Sequence, residues 1–260
     1  MQWENLTSPD FARAVKETGV CIIALGVLER HGEHLPLGTD FINGHHLACL
    51  AAEQVPAVVF PPWYFGQIYE ARCYPGALTI KPTLLIELLR GVFDEIGRNG
   101  FKKIILLNAH GGNMALLPFL AQCSLWEQKP YSLYYYTQLG GGSDPAWKEI
   151  LDTEIHMHAC ECETSISLAN HPHLVHMDRI PANPTTPLGR LGKLEHNMAG
   201  IGWYANFPEH YAGDARPATA EKGEKLQAIQ VAQLAKFIAA VKADAVVPAL
   251  EQEFFERGRF

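Results

Sequence analysis

The sequence predicts an α/β fold with a mostly parallel sheet that is covered by helices on both faces. Short apolar runs of strand length alternate along the chain with longer stretches of helical spacing. Strands that alternate with helices usually pair in parallel and bury both faces of the sheet. The 260 residues contain no internal repeat and no dividing linker, so we expect one domain over residues 1–260.

Four runs are predicted as strands, and four stretches are predicted as helices. The strands cover residues 19–28, 55–61, 103–108 and 131–139. The helices cover residues 43–54, 81–99, 113–128 and 220–243, with Asn113 as a helix N-cap and Gly100 as a helix stop. Residues 140–143 and 181–192, which are rich in Gly, Pro and Thr, are predicted to be loops.

Composition excludes several classes of protein. The net charge of −7 and the lack of a Lys/Arg cluster argue against a nucleic-acid partner. No apolar run approaches the roughly 20 residues that span a bilayer, and the first residues lack the features of a signal peptide. We therefore expect a cytoplasmic protein that does not bind membranes. The six cysteines have no C-x-x-C spacing and are expected to be free thiols.

The first polar cluster begins where the strand over residues 19–28 ends. Glu29 and His31 are two residues apart and point to one side of an extended chain. Asp40 returns after a tight loop that contains Pro and Gly. Carboxylates and imidazoles suit zinc, manganese or iron. The cluster is therefore either a metal site or a solvated charged loop.

The second cluster follows the strand over residues 103–108 and opens the next predicted helix. It contains His110, and Gly111 and Gly112 allow another group to approach the backbone closely. The alternative is an ordinary strand-to-helix turn with an incidental histidine.

The third cluster, residues 156–165, is dense in His, Cys and Glu. A structural zinc site on Cys160 and Cys162 has little support, because the sequence lacks a second thiol pair. Sites in α/β sheets assemble at the carboxyl ends of strands. The first two clusters follow strands directly and the third lies at a loop-to-helix boundary, so we expect the three to converge on one crevice.

Four segments in this order resemble the creatininase (creatinine amidohydrolase) family. They are Glu29-x-His31-Gly32-x-His34-Leu35-Pro36-Leu37-x-Thr39-Asp40, Asn108-x-His110-Gly111-Gly112-Asn113, His158-Ala159-x-x-x-Glu163-Thr164-Ser165 and Ala218-Thr219-Ala220-Glu221-Lys222-Gly223. The resemblance implies a three-layer α/β/α sandwich, a homohexamer and two divalent ions, with zinc expected and manganese or iron as alternatives.

The resemblance also implies a ligand set and a reaction. Glu29, Asp40 and His110 would hold one ion. His31, Asp40 and Glu163 would hold the other, so Asp40 bridges the two ions. The ions would activate a hydroxide that cleaves a C–N amide bond of a small, cyclic substrate. His158 would transfer protons beside the metals, and Glu163 belongs to the same catalytic group.

The sequence departs from creatininase itself at two positions. Creatininase carries Tyr-Glu where this chain has Gly111 and Gly112, which argues against creatinine as the substrate. Relatives of the Gly-Gly type resemble hydrolases of other amides and formamides. An alternative is therefore a carbon–carbon bond hydrolase that acts on a cyclic, polyol-derived diketone of the inosose type.

Two aromatic segments have two interpretations each. Residues 63–72 either line the pocket, with Tyr69 and Arg72 as substrate contacts, or form a loop at a subunit interface. Trp203, with the neighbouring Tyr204, His210 and Tyr211, has the same two interpretations. Six other histidines are expected outside the site: His45, His46, His171, His173, His176 and His196.

Overall fold

A parallel sheet of four strands forms the centre of the computed structural model, which describes residues 1–137, 145–192 and 199–258. Its strands are β1 (Val20–Leu25), β2 (Val58–Val59), β3 (Lys103–Asn108) and β4 (Ser132–Thr137), in the spatial order β2-β1-β3-β4. A second, two-stranded antiparallel sheet joins β5 (His156–His158) to β6 (Ala212–Gly213). The helices are α1 (Ser8–Thr18), α2 (Thr39–Gln54), α3 (Pro82–Arg98), α4 (Asn113–Cys123), α5 (Pro145–Lys148), α6 (Glu161–Asn170), α7 (Gly202–Asn206), α8 (Ala220–Ala243) and α9 (Val246–Arg257).

Both faces of the main sheet are buried under helices, which confirms the predicted α/β sandwich. Every residue of β1 is buried. Successive side chains of a strand point to opposite faces, so Cys21 and Ile23 pack with α1, α3 and α4. Ile22 and Ala24 pack on the other face with α2 and α8.

The strand register brings the first two polar clusters to one level. β1 and β3 are adjacent and parallel, and Leu25 at the end of β1 pairs with Asn108 at the end of β3. The chain that leaves each strand therefore enters the same edge of the sheet. The loop after β1 carries Glu29 and His31, and the turn after β3 carries His110.

Several predicted boundaries differ from the structure. The helix predicted over residues 43–54 begins at Thr39, so Asp40, which was expected between the loop and the helix, lies in the first turn of α2. The helix predicted over residues 113–128 ends at Cys123 and continues as a 3-10 helix, Ser124–Trp126. The second strand contains only Val58 and Val59. Helices α1 and α9 were not predicted, and residues 138–144 and His196 lie outside the described residues.

The prediction that Asn113 caps α4 is wrong. Its side chain makes no capping hydrogen bond to the helix. Instead its Oδ1 accepts from the backbone N of Gln67 at 3.0 Å, and its Nδ2 donates to the carbonyl of Leu25 at 3.0 Å. Asn113 thus connects the end of β1 to the loop after β2, which is a tertiary role that local sequence does not reveal.

Two further sequence expectations concern the whole chain. The six cysteines are free thiols, as predicted. Among the described residues, no helix has both the length and the apolar character needed to cross a membrane.

The late motif around residues 218–223 holds α8 against α6. The Thr219 side chain caps α8 by accepting from the backbone N of Lys222 at 3.2 Å. Gly223, also in α8, lies where this helix comes very close to α6. A methyl group at that position would overlap the carbonyl oxygen of Ser165 and stand 2.9 Å from the Cβ of Ala169, both on α6. Since α6 carries Glu163, this contact also fixes part of the third polar cluster.

We expect Gly223→Ala to lower the free energy of unfolding by about 1–3 kcal/mol, because the added methyl overpacks the α6–α8 contact. Gly91→Ala is the matched control, since a methyl there meets no atom within 4 Å. That helix-interior change should raise the free energy of unfolding by about 0.5–1 kcal/mol. Urea denaturation of both variants measures the difference. Equal stabilities would contradict the proposed close approach.

Candidate metal centre

Three carboxylates and several imidazoles meet in a buried cluster at the carboxyl edge of β1 and β3. Glu29, His31, Asp40, His110 and His158 are all buried in the folded chain. Glu163 lies in the first turn of α6 and is close enough to His31 and His158 for one ligand atom of each to lie within 4.8 Å of the others. The structure therefore brings together the six residues that the resemblance places in the centre.

Asp40 lies between two imidazoles and presents one oxygen to each. Its Oδ1 is 3.0 Å from His31 Nε2, and its Oδ2 is 2.9 Å from His110 Nδ1. Glu29 Oε1 is 2.8 Å from the same His110 Nδ1 and 4.0 Å from His31 Nε2. This is the arrangement that a bridging carboxylate requires.

The hydrogen bonds of His110 leave three electron-pair donors facing one another. Its Nε2 donates to the carbonyl of Gln67 at 2.9 Å, so in the neutral ring Nδ1 carries a lone pair. With the His110 ring neutral, the buried oxygens Glu29 Oε1 and Asp40 Oδ2 receive no hydrogen bond within the described part of the chain. These carboxylates raise the pKa of His110 well above its usual value in spite of burial, so without a metal ion a proton on Nδ1 occupies the place between the three atoms. Buried oxygens without donors are costly unless a cation lies between them. The residues present therefore fit a divalent metal ion.

The pKa values indicate that the centre binds positive charge. Burial by itself raises the pKa of Glu29, but the charge on the His110 imidazole, together with hydrogen bonds from His110 and His210, outweighs it and holds the pKa well below its usual range. Burial by itself lowers the pKa of His31, but the Asp40 carboxylate raises it to about 10. Metal ions that bind such a site displace the protons from its ligands.

Two members of the cluster have pKa shifts that are dominated by burial. Burial raises the pKa of Glu163 to about 7 in spite of the nearby His31. Burial, and then the charge on His31, lower the pKa of His158 to about 3. The His158 ring is therefore neutral, and its Nε2 donates to the carbonyl of Arg30 at 2.8 Å.

A strained backbone holds the third cluster in place. Ala159 has a φ of 51°, in the left-handed region that residues other than glycine rarely adopt. In this conformation its backbone N donates to Glu163 Oε2 at 2.5 Å. Strain of this kind persists where the surrounding structure fixes it, and it is concentrated at functional sites.

The cluster opens into a cavity of about 570 Å³, a volume that suits a small molecule. Glu29, Asp40, His110, His158 and Glu163 line one part of it. Other parts are lined by apolar and amide side chains, including Leu47, Trp147, Met157, Ile166, Gln227 and Gln230. Cys160 and Cys162 also line the cavity, but neither belongs to a potential metal-binding group among the described residues.

The predicted substrate contacts differ in their placement. Trp203 lines the cavity, whereas Tyr69 and Arg72 are not among the described residues of its wall. Tyr69 begins a 3-10 helix, Tyr69–Ala71, whose middle residue Glu70 lines the cavity instead. Arg72 is exposed. The role of all three residues in substrate binding stays a prediction.

His210 is a member of the cluster that the sequence named only as a pocket-lining or interface residue beside Trp203, without a role at the metal centre. Its Nε2 lies 2.7 Å from Glu29 Oε2, and its φ of 52° is also in the left-handed region. His210 comes from a segment far along the chain, and no motif of the recognised type surrounds it. The neighbouring aromatic residues were the only feature of the sequence that pointed to a place for His210 near the site. The cavity wall contains none of the described histidines that were expected outside the site, which are His45, His46, His171, His173 and His176.

One family model and several known proteins match this sequence. The family model described as "Creatininase: Creatinine amidohydrolase" matches residues 4–238. A mycofactocin precursor peptide peptidase of Mycolicibacterium smegmatis is 31% identical over 81% of this chain and 80% of its own length. A 3-dehydro-scyllo-inosose hydrolase of Thermotoga maritima is 27% identical over 86% of this chain and 78% of its own length. The creatinine amidohydrolase of Pseudomonas putida is 24% identical over 87% of this chain and 91% of its own length.

Solved structures show the same fold. A crystal structure of creatininase superposes with a TM-score of 0.81 at 21% identity, covering 94% of this chain and 98% of the other. Other solved creatininases are described as a manganese form and as a zinc–zinc mutant. The match to the family model over nearly the whole chain, together with this fold, leads to one conclusion: the chain is a member of the creatininase family of amidohydrolases.

Proposed function

We propose that this chain is a metal-dependent amidohydrolase that cleaves a C–N amide bond of a small, cyclic substrate. One observation carries the proposal. The unpaired, buried oxygens Glu29 Oε1 and Asp40 Oδ2 converge on His110 Nδ1, and this is the environment of a metal ligand set. The solved creatininases that carry manganese or zinc support the same interpretation.

We assign the ligands as the family resemblance implies. Glu29, Asp40 and His110 would hold one ion, and His31, Asp40 and Glu163 the other. When bound, the divalent cations supply Lewis acidity, which polarises a carbonyl group and lowers the pKa of a water molecule. Zinc is the proposed ion, with manganese or iron as alternatives, and a homohexamer is the proposed assembly.

His158 is proposed to move the proton that C–N cleavage requires. Its Nε2 proton is engaged by the Arg30 carbonyl, so Nδ1 is the atom that can accept a proton. Attack of water on the amide carbon forms a C–O bond and releases a proton. As the C–N bond breaks, the same proton is transferred from His158 to the departing nitrogen.

The Gly111-Gly112 pair supports a substrate other than creatinine. A methyl group at Gly112 would overlap the carbonyl oxygen of Gln67 and stand 2.5 Å from His110 Nε2. This position therefore has no room for the glutamate that creatininase carries there. At Gly111 a methyl would meet no atom within 4 Å, so the tyrosine of creatininase is replaced by open space in the cavity wall.

The alternative function is hydrolysis of a carbon–carbon bond in a cyclic diketone. The relative from Thermotoga maritima, an inosose hydrolase, favours it. The relatives named as a peptidase and as an amidohydrolase act on C–N bonds and favour the first proposal. Both reactions use the same metals, so the ligand geometry does not separate them.

Metal removal and His110→Ala test the metal dependence. Dialysis against a chelator should abolish hydrolysis, and zinc or manganese should restore it. His110→Ala should lower the metal content and reduce activity by more than about 100-fold, since loss of an outer-shell partner alone costs 10- to 100-fold. Circular dichroism should show a folded chain, because the core clusters are intact. The control is His173→Ala, whose side chain is exposed and outside the cavity wall. Full activity in His110→Ala would remove this residue from the ligand set.

A substrate panel separates the two reactions. Metal-loaded protein is incubated with cyclic amides, formamides, short peptides and inosose-type diketones, and products are identified by mass spectrometry. The proposal expects a cyclic amide to gain one water molecule and open to a product that carries both a carboxylate and an amine, with no turnover of the diketones. The opposite pattern would establish the carbon–carbon hydrolase.

Gly112→Ala and Gly111→Ala test the close approach beside His110. Gly112→Ala should lower the free energy of unfolding by about 1–3 kcal/mol through overpacking. It should also weaken zinc binding, because the 2.9 Å bond from His110 to the Gln67 carbonyl is displaced. Gly111→Ala should keep the stability of the parent within about 0.5 kcal/mol. Equal effects of the two substitutions would contradict the geometry.

A further inference from the structure

Trp203, His210 and Glu29 form a hydrogen-bonded relay along one wall of the centre. The indole Nε1 of Trp203 donates to His210 Nδ1 at 3.2 Å, and His210 Nε2 lies 2.7 Å from Glu29 Oε2. An indole N–H can only donate, so His210 Nδ1 must be the acceptor. The ring proton therefore sits on Nε2, and His210 donates it to Glu29.

The relay leaves one oxygen of Glu29 bound and the other free. Oε2 accepts from His210, while Oε1 has no hydrogen-bond donor and lies 2.8 Å from His110 Nδ1. The Glu29 and His210 residues are 1% and 2% exposed, so bulk water cannot replace the contact. The hydrogen bond from His210 thus fixes the orientation of the Glu29 carboxylate, with its second oxygen toward His110 Nδ1.

The surroundings of His210 fix its position from several sides. Its carbonyl accepts from the backbone N of Gly32 at 3.3 Å, and its own N donates to the carbonyl of Phe207 at 3.0 Å. Its ring packs 5.1 Å from that of Tyr74, measured between centroids. These contacts hold the left-handed backbone of His210, which is otherwise unfavourable for a residue with a side chain.

We infer that His210 is a positioning residue, which orients Glu29 as a metal ligand, and that Trp203 selects the tautomer of His210 that does so. The inference rests on the metal centre of the proposed function. Carboxylates and imidazoles that bind metals are commonly held by such outer hydrogen bonds. It also assigns the Trp203 indole N–H to the protein's own scaffold, which leaves only the ring of Trp203 to contact substrate.

The first test measures zinc affinity of the metal-free protein by competition with a chromophoric chelator. His210→Leu removes the donor and should weaken zinc binding by about 10- to 100-fold. His210→Gln keeps an N–H donor and should lose less. Trp203→Phe keeps an aromatic ring but frees the tautomer, so it should shift affinity in the same direction by a smaller factor. Trp126→Phe is the matched control, because Trp126 is 86% exposed and lies outside the cavity wall; its affinity should equal that of the parent.

The second test needs neither metal nor activity. Nitrogen-15 NMR of the metal-free protein should find His210 as the Nε2-protonated tautomer, and Trp203→Phe should convert it to a mixture of tautomers. This signal distinguishes tautomer selection from a merely structural role of the indole. It also decides whether the relay exists if His210→Leu fails to fold.

The outcomes separate this inference from the proposed function. A parent protein that binds none of zinc, manganese and iron overturns the proposed function and the positioning role with it. A parent that binds zinc, beside a folded His210→Leu that binds it equally well, overturns the inference alone. A His210 ring protonated on Nδ1 in the parent also overturns it.

Discussion

The structure depends on a concentration of buried carboxylate oxygens that form no ion pair with a lysine or arginine of residues 1–137, 145–192 and 199–258. One oxygen of Glu29 and one oxygen of Asp40 lie close to the same imidazole nitrogen, His110 Nδ1. Burying unpaired charge costs several kcal/mol per ion, so the fold must hold these groups in place by other means. The parallel pairing of Leu25 with Asn108 provides the framework, since it brings the ends of β1 and β3 to one level.

Much of the recognisable motif stabilises this arrangement and does not itself face the cavity. His34 is fully buried, and its Nε2 lies 2.9 Å from the hydroxyl of Thr164. This contact connects the loop after β1 to helix α6. The Ser165 hydroxyl accepts from the backbone N of Thr219 at 3.2 Å, which connects α6 to the start of α8. Residues of three separate motifs are thus joined in one hydrogen-bonded scaffold around the acids.

The sequence predicted those parts of the protein that local pattern determines. Apolar runs and helical spacing located the four main strands and α8, and the residue types pointed to the acids and imidazoles that the structure brings together in the buried cluster. It did not place His210 beside Glu29, because the two residues are 181 positions apart and the aromatic neighbours of His210 indicate only a pocket wall or an interface. It also placed Asn113 at a helix cap and Asp40 ahead of its helix. Both errors concern side chains whose partners are set by tertiary packing, which a single sequence does not encode visibly.

The strained residues explain how the centre can be both costly and well ordered. Ala159 and His210, with φ values of 51° and 52°, are the non-glycine residues of positive φ in the described chain, and both hold a carboxylate through a hydrogen bond. A backbone conformation of this type costs about 1–3 kcal/mol, and it is stable only if the contacts around it are worth more. Separately from that strain, the metal-free fold holds desolvated carboxylates at Glu29 and Glu163, whose cost a bound cation would offset. Under the proposed function, a cation that binds only the folded chain adds to its stability, so the same carboxylates that weaken the empty protein couple metal affinity to folding.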